Sequence, residues 1–77
     1  MLMQVLLLDQ ESGFYVGYHS SWSDNAQEAK DFSFTVHARA MARQLNLKSF
    51  QVLFYFPEND YRIVVSDDKS GTELASV

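Results

Sequence analysis

The sequence predicts an α+β domain in the order ββαββ, a four-stranded, mostly antiparallel sheet with one helix packed on one face. Three observations lead to it. Phe50 to Phe56 and Tyr61 to Val65 are rich in aromatic and β-branched residues and are joined by Pro57-Glu58-Asn59-Asp60. Leu2 to Leu8 and Phe14 to Tyr18 form a similar pair around a polar segment that ends at Gly13. Between the pairs, Phe34, Ala38, Met41, Ala42 and Leu45 recur at offsets of three and four, which is the spacing of one helix face.

Leu2 to Leu8 is a short, nearly continuous apolar run, suited to a buried strand. Asp9 to Gly13 then reads as a hairpin loop, with Gly13 free to take a positive φ. Gly17 inside the second strand marks a bulge or a close backbone approach. His19 to Phe32 reads as loop with a little local structure, in which Asp24 caps a helical turn or an edge strand ends at Phe32. Ser33 is the expected helix N-cap and Asn46 the expected left-handed stop. Pro57 to Asp60 is a turn, and Tyr61 to Ser66 the fourth strand. Residues 1–66 are expected to form the domain and residues 67–77 a polar, flexible tail.

Seventy-seven residues suffice for one domain of modest stability. With no cysteine, no disulfide reinforces it. His19 and His37 do not form a ligand-spaced cluster, so no metal or other cofactor is expected. The net charge of −4 disfavours non-specific nucleic-acid binding, which rests on phosphate neutralisation. The apolar run at residues 2–8 is too short for a membrane span, and a cytoplasmic location is expected.

The two faces of the strands point to a partner. Phe50, Val52, Phe54 and Phe56 share one face, and Gln51, Leu53 and Tyr55 share the other. The more apolar set is expected under the helix. The second face, with Tyr15, Leu53, Tyr55 and Val64, is only partly polar, and one short helix covers only one face. Burying each such side chain contributes roughly 1.5–3 kcal/mol. A homodimer or a protein target is therefore expected to cover that face. Tyr18, His19 and Trp22 would form the rim, since Tyr and Trp serve as interface anchors.

No residue set identifies a reaction. His19, Ser20 or Ser21 and Asp24 supply the residue types of a nucleophilic triad, but neighbours on an extended chain point apart. The expected function is therefore a non-enzymatic interaction module. The alternatives are a small-ligand binder or minor enzyme using the 18–32 loop, and a sheet that stacks nucleic-acid bases, which the acidic charge disfavours.

Gly17-Tyr18, Trp22-Ser23-Asp24, Glu28-Ala29-Lys30 and Phe32, followed by Ala38 and Ala42 on a helix, resemble small phage and prophage proteins of uncharacterised function over about residues 13–46. The resemblance implies a cytoplasmic accessory protein that acts by binding, such as a blocker of a host defence or transcription protein. It brings no catalytic residues.

Overall fold

The computed structural model describes the backbone of residues 2–69 and the side chains of residues 2–65. Within that span the chain forms β1 (Gln4–Asp9), β2 (Tyr15–Val16), β3 (Trp22–Ser23), helix α1 (Thr35–Gln44), β4 (Ser49–Phe56) and β5 (Tyr61–Lys69). The strands make one antiparallel sheet in the order β3-β2-β1-β4-β5. The α+β class and the single helix agree with the sequence, but the sheet has five strands rather than the expected four. The extra one is the two-residue β3, inside the segment read as loop. β5 also continues three residues beyond the expected Ser66, so residues 67–69 belong to the sheet; residues 70–77 of the expected tail lie outside the described residues.

The first hairpin turns where expected. The Asp9 carboxylate accepts from the Glu11 N–H and the Ser12 hydroxyl, and Gly13 takes φ +80°. The second hairpin bonds the Asn59 N–H to the Phe56 carbonyl, with Asp60 at φ 51°. β2 is shorter than expected, because the chain leaves the sheet at Gly17. A Cβ there would lie 2.5 Å from Ser21 Oγ and 3.3 Å from the Ser21 carbonyl oxygen, so the close approach expected at Gly17 is present.

Helix α1 starts without a side-chain cap. Ser33, the expected N-cap, instead adopts φ 71°, and its N–H donates to Asp31 Oδ1. The same carboxylate oxygen accepts from the Val5 N–H, so Asp31 ties the helix entry to β1. The helix ends as expected at Asn46, with φ 58°. The Leu47 N–H reaches the Ala42 carbonyl and the Asn46 N–H the Arg43 carbonyl, which satisfies two terminal acceptors. Ala38 and Ala42 are fully buried and let the helix lie close to the sheet. Phe34, expected on the inner face, is exposed instead, with its ring edge-on to His37.

The core has two layers. On the helix side, Val5, Leu7, Val16, Phe32, Phe50 and Val52 pack with Ala38 and Ala42. On the other side, Leu6, Tyr15, Leu53 and Tyr55 pack with Ala26 and Ala29. The expected division of β4 between its faces is therefore observed. The expectation that the second face lies open is not: the chain's own segment from residue 24 to residue 32 covers it.

Candidate interaction surface

The cover is a strap that passes under the sheet from β3 to the free edge of β1. Asn25 Oδ1 accepts from the Gln27 N–H and opens a single 3-10 turn, Ala26–Glu28. This turn presents Ala26 to the sheet, and Ala29 follows it in. Gly17 then bridges to Ala29, the Lys30 N–H donates to the Val16 carbonyl, and the Phe32 N–H donates to the Val5 carbonyl. Beyond the short β2, the strap thus supplies the backbone partners that the edge of β1 would otherwise lack.

Beneath the strap, Tyr15, Leu53 and Tyr55 retain 6%, 3% and 0% of their surface. A partner cannot touch them without displacing the strap, which removes them from the expected interface. Their polar ends are also engaged. Arg62 Nη1 donates to the Tyr15 hydroxyl at 3.1 Å, spanning from β5 to β2 across two strands. The Tyr55 hydroxyl donates to Asp60 Oδ1 at 3.0 Å, and the Arg62 guanidinium lies 5.8 Å from the Tyr55 ring centre. Burial, reinforced by the hydrogen bond to the Asp60 carboxylate, pushes the Tyr55 phenol above its ordinary pKa; a hydrogen bond with Gln27 acts the other way. The hydrogen bond to Tyr15 holds the Arg62 guanidinium above its ordinary value. Arg62 and Asp60 also pair at 3.3 Å, but both are well exposed, and such pairs add little stability.

The remaining expected interface residues do not form one surface. Tyr18 and Trp22 are about half exposed, and His19 is exposed, at the β2–β3 margin. There Tyr18–Ser20 forms a tight turn in which His19 and Ser20 both adopt positive φ, and the Tyr18 hydroxyl accepts from the Asp31 N–H. Val64 lies at the opposite margin, on β5.

That opposite margin keeps apolar surface, as Leu2, Met3, Phe14, Phe34, Val36 and Leu45 do elsewhere. Tyr61, Ile63, Val64 and Val65 keep 57%, 41%, 49% and 43% of their surface. By register Tyr61 and Ile63 sit opposite Phe56 and Phe54 on the helix side, and Val64 sits opposite Leu53 on the strapped side. The Tyr61 ring rests against Phe56 at 6.1 Å. Along its outer side β5 has no neighbouring strand among the described residues, so no described strand pairs with its outward N–H and C=O groups. Local pattern does not mark Tyr61, Ile63 and Val65 as interface residues, because the place of a strand within a sheet is not written in it.

A groove of about 330 Å³ lies along the opposite flank of α1, lined by Lys30, Phe32, His37, Met41 and Gln44 among others. The Lys30 ammonium lies over the Phe32 ring and His37 against Phe34. His19 and His37 belong to different elements, and no group of three or more potential metal ligands occurs among the described residues. No helix among them is long and apolar enough to cross a membrane. Neither protein-family models, nor characterised proteins, nor solved structures give a match to this chain.

Proposed function

We propose that the protein is a non-enzymatic protein–protein interaction module that works through the β5 margin of its sheet. One observation carries the reading: Tyr61, Ile63, Val64 and Val65 stay roughly half exposed along a strand edge that no other described strand pairs with, while Leu6, Tyr15, Leu53 and Tyr55 on the same sheet are buried. Apolar side chains flanking unpaired backbone groups are the features used when a partner adds a strand to a sheet. Trp22, Tyr18 and His19 form a second, smaller aromatic margin at the far end.

The alternatives find less support. Of the sheet tyrosines that would stack nucleic-acid bases, Tyr15 and Tyr55 lie beneath the strap and Tyr61 alone stays exposed among the described residues, within a chain of net charge −4. A ligand in the α1 groove would meet Asp31, yet that carboxylate already serves the Val5 and Ser33 N–H groups. The proposal accommodates the accessory role implied by the phage-type resemblance, in which the chain masks a surface of a host protein in the cytoplasm.

The test is retention of specific protein from native host extract by the tagged chain, compared with Val64→Lys. We expect Val64→Lys to lose the retained species. Retention of the same set by both chains would overturn the choice of surface.

A further inference from the structure

We propose that β5 pairs antiparallel with β5 of a second copy, about a two-fold axis between Val64 and Val65, so that two sheets join into one. The inference rests on β5 being the interaction margin and names the partner. Its first support is the ladder. Leu53 pairs with Val64, and Val52 pairs with Ser66, which leaves Val65 as an extra residue. Such a bulge reverses the alternation of faces along the strand. A residue before the bulge then shares a face with one after it only when their numbers differ by an odd amount. Most ways of laying two β5 edges together break this rule and set inward positions against outward ones.

The second support is charge. With the axis between Val64 and Val65, faces match throughout. Ile63 falls opposite Ser66 of the second copy, Arg62 opposite its Asp67, Tyr61 opposite its Asp68, and Asp60 opposite its Lys69. Opposite charges fall at two positions, where the exposed Arg62–Asp60 pair of each copy would extend to Asp67 and Lys69 of the other, and the symmetry repeats both. Sliding the register by two residues instead sets Arg62 against Lys69, and Ile63 and Val64 against Asp68 and Asp67. An in-register parallel pairing sets every charge against its like. Ile63, Val64 and Val65 of both copies gather at the axis, and the outward backbone groups of β5 gain partners.

Bulges and edge charges ordinarily discourage sheets from joining. Here the same features admit one arrangement and penalise its neighbours. One strand edge is smaller than the roughly 800 Å² per partner of a standard interface, so the expected affinity is micromolar rather than nanomolar.

Sedimentation equilibrium of the full chain over a concentration series tests the pairing. We expect a monomer–dimer equilibrium. Asp67→Lys, which places Lys opposite Arg62, and Lys69→Glu, which places Glu opposite Asp60, should each weaken it roughly tenfold or more. Circular dichroism confirms that each variant is folded. Because the chain has no cysteine, oxidising a mixture of Ile63→Cys and Ser66→Cys chains reports the register. The mixed disulfide should exceed both self-linked products. Dimers in which self-linked Ile63→Cys dominates, or which ignore both charge reversals, would overturn the register. A monomer at every concentration up to about 1 mM would overturn self-pairing altogether. In that event, apolar-dye uptake abolished by Ile63→Lys would leave the wider interaction reading standing, whereas no uptake would remove both.

Discussion

The two margins of this sheet are finished in different ways. At the β1–β2 side the chain doubles back: the 24–32 strap bonds to the Val16 and Val5 carbonyls and lays Ala26 and Ala29 over Leu6, Tyr15, Leu53 and Tyr55. At the β5 side nothing returns among the described residues, and side chains of similar character stay half exposed. A strap built largely from small and polar residues therefore does at one margin what a partner is proposed to do at the other. An apolar strand face by itself does not imply a binding surface; the path of the intervening chain decides which part of it is left over.

The strongest way to break this comparison is to remove what the strap covers. Tyr55→Ala should cost about 3–5 kcal/mol in urea unfolding, as expected for a large side chain lost from a packed site. That is most of the stability of a domain of this size. A cost below about 1 kcal/mol would mean that the strapped layer is loose.

A second, smaller effect concerns Gly17, where the strap bridges back to the end of β2 through Ala29. Gly17→Ala brings a methyl group onto Ser21 Oγ, which is itself held by the Tyr18 carbonyl at 2.6 Å. The expected loss is about 1–3 kcal/mol, and it should shrink in a Ser21→Ala background. Equal losses in both backgrounds would show that the clash is not with the hydroxyl.

Next comes pH. The Tyr55 phenol has a raised pKa in the folded chain, so the folded state holds that proton more tightly than the unfolded state does. Its contribution is complete below the unfolded value near 10, and is lost as pH rises through the higher folded value. Denaturant midpoints should therefore fall above pH 10, and Tyr55→Phe should flatten that part of the profile. A profile unchanged by Tyr55→Phe would separate the alkaline loss from this phenol.

The smallest effect on stability is expected at β5. Val64→Lys should change the unfolding free energy of the isolated chain by no more than about 0.5 kcal/mol, because the side chain is half in water already. The same substitution should abolish partner binding. A large loss of stability without a change in binding would reverse the roles assigned to the two margins.

Much of the frame is visible in local patterns. Alternation along Phe50 to Phe56 sorts β4 into its helix-side and strapped sets, and the buried clusters follow that sorting. Gly13, Asn46 and the Pro57–Asp60 turn announce themselves because few residue types tolerate those backbone conformations. The strap is different. Its hold on the sheet comes from backbone hydrogen bonds to Val5 and Val16 and from two alanines, none of which leaves a periodic signal in residues 24–32. Ser33 departs from its expected role for a related reason. A serine ahead of a helical pattern fits an N-cap, but Asp31 draws its N–H into a tie with β1. The proposed surface follows the same division: alternation singles out Val64, whereas Tyr61, Ile63 and Val65 emerge only once β5 is known to be an edge.

Oxidative footprinting of the folded chain, read residue by residue in dilute and in concentrated solution, tests the contrast most directly. The account predicts that Tyr15 and Tyr55 are protected at both concentrations, while Tyr61 and Ile63 label readily when dilute and become protected on concentration. Labelling of Tyr15 and Tyr55 as fast as Tyr61 in dilute solution would contradict it.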